Sequence, residues 1–275
     1  MNKLADLIID SKIFISICTV CITLCSLLIF KTPFSSYPQF LILIFSSTFL
    51  IYNFPNYAEI LNHQKKHQLA KFYIYTCPLT IVSIIISLSF LPVSVFYFFI
   101  HLGFLSFLYY LPVKNPAIAK YSLRNIPYLK IFLIAYVFSA ATVIAPSYLN
   151  LTTNNDLIEQ LFIDRFIFIL AITIPFDIRD HKIDKQLSIK TIPHLTGIHG
   201  AKILTSILLL FYVINSMWYQ DLFSILFSRL FAIIILFYFI FTLKESSSKF
   251  IFNGYIDGSM IIQLCVFVIS HFILF

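Results

Sequence analysis

The stretch D-I-R-D-H-K-I-D-K, Asp177 to Lys185, places three carboxylates and three cations side by side in a chain that is only 11% charged. So dense a cluster marks a place where the surroundings must change from apolar to polar. Elsewhere the chain is 60% hydrophobic and 18% aromatic, with a mean hydropathy of +0.92. Soluble domains are roughly half apolar and a quarter charged. The composition therefore excludes a soluble globular domain and implies an integral, all-α membrane protein.

Apolar runs long enough to cross a hydrocarbon core of about 30 Å need about 20 helical residues each. They fall near Ile13–Phe30, Pro38–Asn53, Phe72–Leu91, Pro92–Leu111, Leu129–Ala145, Leu161–Phe176, Ala201–Tyr219, Leu222–Leu243 and Gly258–Phe275, which predicts nine transmembrane helices in one domain over residues 1–275. Strands span membranes only as closed barrels of alternating polarity, and these runs are apolar all round. Met1–Lys12 reads as the lead into a retained first helix.

Basic residues test the count, because inside loops collect Lys and Arg. With nine spans and the N-terminus inside, every Lys and Arg except Lys31, Arg165 and Arg229 falls on an inside segment or its edge. The pattern predicts an N-in, C-out topology. The net charge of +7 follows from that topology and from attraction to anionic membrane lipid, so no nucleic-acid partner is expected. All five cysteines lie within spans, where Cys18-x-x-Cys21 reads as small buried residues.

Asp177, Asp180 and Asp184 stand at i, i+3 and i+7, on one side of a helix. Three like charges stacked this way repel one another, and a divalent cation removes that cost. Mg²⁺ takes carboxylate oxygens and shares itself with substrate phosphates, for which Arg179, Lys182, Lys185 and Lys190 are available. The plainer alternative is an ordinary charged helix end.

The run P-F-D-I-R-D-H-K-I-D-K-Q-L-S-I-K-T-I-P-H-L-T-G, Pro175 to Gly197, resembles the second aspartate-rich motif of the UbiA superfamily of intramembrane prenyltransferases. L-R-N-I-P-Y-L-K-I-F-L-I-A, Leu123 to Ala135, is similar to the start of that superfamily's fifth helix, and Y-I-D-G-S-M-I-I-Q, Tyr255 to Gln263, to the start of the last helix in some bacterial members. The resemblance implies a UbiA-like bundle in the inner (cytoplasmic) membrane with its motif loops on the cytosolic side. It further implies Mg²⁺-dependent transfer of a prenyl group from a polyprenyl diphosphate to an aromatic or other small acceptor. Carried over, Asp177, Asp180 and Asp184 hold Mg²⁺, with Asp180, Asp184 and Lys130 as catalytic groups, and Arg179, Lys182 and Lys130 contact the diphosphate. Aromatic side chains supply π-faces for an allylic cation.

The family's first signature, N-x-x-x-D-x-x-x-D, has its counterpart in Y-N-F-P-N-Y-A-E-I-L-N-H, Tyr52 to His63. Asn53 matches and is the candidate cofactor ligand there, whereas Tyr57 and Leu61 occupy the aspartate positions. That departure motivates a rival reading, a non-catalytic membrane protein of the same fold that binds an isoprenoid or a partner protein. A transporter is the weaker third reading, since the charges gather at one face. His63 and His67, like His194 and His199, read as surface residues. Arg229, mid-span, must face the bundle interior and a partner. Arg165, beside Asp164 near the outer end of the sixth run, reads as a snorkelling side chain.

Overall fold

The computed structural model describes residues 3–33, 35, 37–61, 70–110, 123, 126, 128–186, 189–219, 222–245 and 247–274. Among the described residues every regular element is helical. A short α1, Lys3–Asp10, leads through a tight turn into α2, Ile13–Ile29; α3 follows at Tyr37–Leu61, α4 at Ala70–Ser89 and α5 at Val93–Tyr110. Then come α6, Leu129–Ser139, extended by a π-helical turn at Ala140–Ile144, the long α7, Asn155–Gln186, and α8, Ile192–Ile214. Helix α9 spans Leu222–Thr242, and a π-helical turn at Ile251–Ile256 runs directly into α10, Asp257–Leu274.

Six of these segments are long and apolar enough to cross a membrane: Tyr37–Tyr57, Phe72–Ser89, Leu129–Ser147, Ile192–Trp218, Phe223–Thr242 and Ile251–His271. Ile13–Ile29 and Val93–Tyr109 are apolar but shorter. Every run read from hydropathy coincides with a helix, while the boundaries differ for local reasons. Helix α3 continues past Asn53 and through Pro55 to Leu61. Helix α7 continues past Phe176 to Gln186, so the whole Asp177–Lys185 cluster is helical. Helix α8 begins at Ile192, with Pro193 in its first turn, where a missing N–H costs nothing. It kinks at Gly197, whose φ of 70° and ψ of 171° are open only to glycine.

Neighbouring helices close a ring: α2 packs on α3, α3 on α5, then α5 on α6, α6 on α7, α7 on α8, α8 on α9, α9 on α10, and α10 back on α2, with α4 outside against α3. Between lipid-solvated helices, close packing replaces hydrophobic exclusion, so small residues belong at the seams. Helix α2 lies at such a seam. Ser16, Thr19 and Thr23 are buried there, each hydroxyl donating to the carbonyl one turn back at 2.7–3.0 Å. Cys18, Ile22, Phe168, Leu209, Leu236 and Met260 fill the core from α2, α7, α8, α9 and α10. On the outside Leu79, Ile85, Phe104, Ile207, Phe231 and Ile234 are exposed, as a lipid-facing surface requires.

Candidate functional site

Two cavities share one stretch of lining and so lie end to end. One, of about 290 Å³, has polar walls that include Lys12, Lys130, Arg179, Asp180, Asn253 and Asp257. The other, of about 360 Å³, is almost wholly apolar and runs between α3, α4, α5 and α6, with Leu50, Ile84, Phe99, Gly103, Leu133 and Val137 among its walls. Tyr52, Tyr109, Ile134 and Phe138 line both and form the junction.

Helix geometry sorts the three aspartates. At about 100° per residue, seven residues return to within about 20° of the starting direction, whereas three leave the side chain about 60° away. Asp177 and Asp184 accordingly point together toward Lys130 on α6, and Asp180 turns to the cavity. The Lys130 ammonium lies 2.9 Å from Asp177 Oδ1 and 3.7 Å from Asp184 Oδ2, and both carboxylates are almost fully buried. Burial pushes the Asp177 carboxyl up, and the Lys130 charge opposes that shift. Asp180 accepts a two-point pair from its neighbour Arg179, Nε at 2.8 Å and Nη2 at 3.0 Å. The guanidinium also lies over the rings of Phe176 and Phe252, at 5.1 and 5.5 Å from their centres. Lys182 is elsewhere, exposed and paired with Glu245 at 3.2 Å.

Asn53 is fully buried and lines neither cavity. Its amide donates to the carbonyls of Ser11 and Phe49, both at 3.0 Å, and its Oδ1 accepts from Asn56. Asn56 also donates to the Tyr73 hydroxyl, which in turn donates to the Asp10 carbonyl. Tyr57 packs edge-on against Tyr73, ring centres 5.6 Å apart. The face of α3 that carries the first signature thus grips the α1–α2 turn. His63, His67 and the side chains of Glu59 and Leu61 lie outside the described residues.

The donor set does not fit a resident Mg²⁺ as arranged. Asp177 and Asp184 share a lysine, Asp180 is held by an arginine, and among the described residues no group of three or more His, Cys, Asp or Glu side chains converges as a metal site. Only Asp180 of the three shares the cavity wall with Asp257.

Lys12 and Asn253 are cavity residues that spacing alone misses. Lys12 precedes a span and looks like any inside charge. Only its left-handed backbone, φ 66° and ψ 9°, turns it into the cavity.

A second polar cluster lies within the spans, away from the cavity. Asp164 is fully buried and pairs with Arg229 at 2.7 Å, while Asn215 and Tyr219 donate to its other lone pairs. Arg229 also donates to the Tyr212 carbonyl and lies 4.2 Å from the centre of that ring. Asp164 is therefore the partner that the mid-span arginine required. Arg165 does not snorkel. It is buried, donating to the Ile22 carbonyl, Thr142 and Ser26, because α2 and the α6 π-turn offer it polar partners inside the bundle.

No family profile matches the chain, and no curated protein matches it in sequence. In shape it matches a solved structure of digeranylgeranylglyceryl phosphate synthase, a prenyltransferase of the UbiA superfamily, with a TM-score of 0.54 over 98% of each chain at 17% identity. Set beside the ring of helices, that likeness shows that this multi-pass membrane protein shares its fold with that synthase.

Proposed function

We propose that the chain is a membrane-embedded prenyltransferase that takes a polyprenyl diphosphate and passes the prenyl group to an aromatic or other small acceptor. The observation that carries the reading is the end-to-end pair of cavities, one charged and one apolar, joined at Tyr52, Tyr109, Ile134 and Phe138. A prenyl diphosphate is a molecule of that shape: a multivalent anion on a branched hydrocarbon. Lys12, Lys130 and Arg179 bind the head group; Asp180 fixes the Arg179 fork, and Asp177 with Asp184 fixes Lys130. Ionisation breaks the bond between the allylic carbon and oxygen, and the electron pair leaves with the diphosphate. The carbocation remains beside the Tyr52, Tyr109 and Phe138 rings, away from bulk water. The acceptor then attacks the cation and gives up a proton to the released diphosphate. Nine spans with the N-terminus inside, supported by the distribution of Lys and Arg, put the charged cavity on the cytosolic side of the inner membrane.

The test uses protein purified in detergent with a panel of prenyl diphosphates and aromatic acceptors, following diphosphate release and the prenylated product. Turnover that falls at least about tenfold in Arg179→Gln, as expected for loss of a charge-assisted contact, supports the reading. No turnover by folded protein across the panel sinks it. A second reading, a non-catalytic isoprenoid-binding protein of this fold, is favoured by Asn53 and Tyr57, which serve packing where the resembled family places metal ligands. Stabilisation by a non-hydrolysable prenyl diphosphate analogue without any turnover would select it.

A further inference from the structure

Two features of the charged cavity share one explanation. On its α7 wall, the Lys130 ammonium lies between Asp177 and Asp184, the place where a cation shared by two carboxylates would sit. Behind another part of the lining, the α3 segment that corresponds to the first signature and Tyr73 of α4 bind the α1–α2 turn. Asn53 holds the Ser11 carbonyl and Tyr73 holds the Asp10 carbonyl. The next residue along is Lys12, held in the left-handed region and lining the cavity. Lys12 forms no ion pair with any described residue, although burial lowers the pKa of its ammonium. A half-buried cation kept unpaired in a strained conformation is costly, and an anion arriving in the cavity offsets that cost.

We propose that two protein ammonium groups lining this cavity, Lys12 and Lys130, stand where the resembled family uses divalent cations, so that this site binds a diphosphate head group with no divalent ion. The inference rests on the prenyl diphosphate reading above and changes its chemistry. Asn53 is a positioning residue in this scheme, acting through the backbone of Ser11. Arg179 supplies the third cation and exchanges part of its contact with Asp180 for the ligand.

The experiment measures binding of farnesyl thiodiphosphate to the detergent-solubilised full chain in EDTA and in millimolar Mg²⁺, by calorimetry and by thermal shift. Affinities within about threefold of each other in the two buffers are expected. Lys12→Met should weaken binding about tenfold or more in both buffers, as for a lost charge-assisted contact, while Lys12→Arg retains most of it. The ligand-free melting temperature of Lys12→Met should hold or rise, which separates lost binding from lost folding. Lys130→Ala vacates the position between two carboxylates, so Mg²⁺ alone should raise the melting temperature of that variant and leave the parent unchanged. Binding that disappears in EDTA and returns with Mg²⁺ overturns the inference and leaves the prenyl diphosphate reading standing. Absence of binding in both buffers overturns both.

Discussion

Lys12 carries a conformational cost of about 1 kcal/mol or more for a side chain held in the left-handed region, in addition to partial desolvation. Its charged neighbours across the packed elements are Asp10, Arg179, Asp257 and Lys249, and burial dominates their combined effect, lowering its pKa from the ordinary 10.5. The sign of the pH dependence follows. A cation whose folded pKa lies below its unfolded one is penalised while charged, so the ligand-free protein gains stability as pH rises from that lowered value toward 10.5. Affinity for the thiodiphosphate should move the other way, declining as Lys12 loses its proton, and Lys12→Met should abolish both trends in pH titrations. Asp164 offers a contrasting case, a fully buried charge with every neighbour arranged around it. Asp164→Ala leaves Arg229 charged and unpaired inside the bundle, and a cost of about 3–5 kcal/mol is expected as a large drop in melting temperature.

At the scale of elements, the apolar runs announced where the helices lie, because transfer energy is local to each residue, and six of those segments are long and apolar enough to cross a membrane. Hydropathy reports the solvent, however, and gives no signal for where a helix stops. Helix α7 therefore continues as far as Gln186, well beyond the apolar run that ended at Phe176. The site was legible in part. The i, i+7 relation of Asp177 and Asp184 follows from helical pitch, and their shared partner Lys130 lay within the resemblance. Lys12 and the role of Asn53 depend on a contact across 42 residues of sequence, and the Arg229 partner on one across 65, distances over which local pattern carries no information. The kink in α8 is local and testable. Open space surrounds the Gly197 Cα, so the methyl group of Gly197→Ala meets no clash, and its cost is purely the φ of 70°, about 1–3 kcal/mol. Thermal unfolding in detergent would read that loss.

Across the whole molecule, the apolar cavity and the charged one can be separated by experiment. Gly103 lines the apolar cavity, and a side chain there would enter empty space. Gly103→Leu should weaken the farnesyl analogue several-fold while inorganic diphosphate binds as before, since only the hydrocarbon loses room. Equal loss for both ligands would mean that the two cavities do not divide one substrate. Topology is open to a parallel test. On the nine-span arrangement, cysteines placed at the exposed Lys182 and Thr152 should react with an impermeant maleimide from opposite faces of sealed vesicles.

Helix α1 is only Lys3–Asp10, the sort of short leading segment that is trimmed for convenience or buried under an affinity tag. The grip of Asn53 and Tyr73 on the turn that follows makes it part of the interior architecture. Shortening the chain to begin at Ile13 would remove Lys12 from the cavity lining together with the carbonyls that Asn53 and Tyr73 hold, and on the binding scheme proposed above ligand affinity should fall. Handles for purification belong at the opposite terminus, and an inactive preparation tagged at the front says little about the native chain.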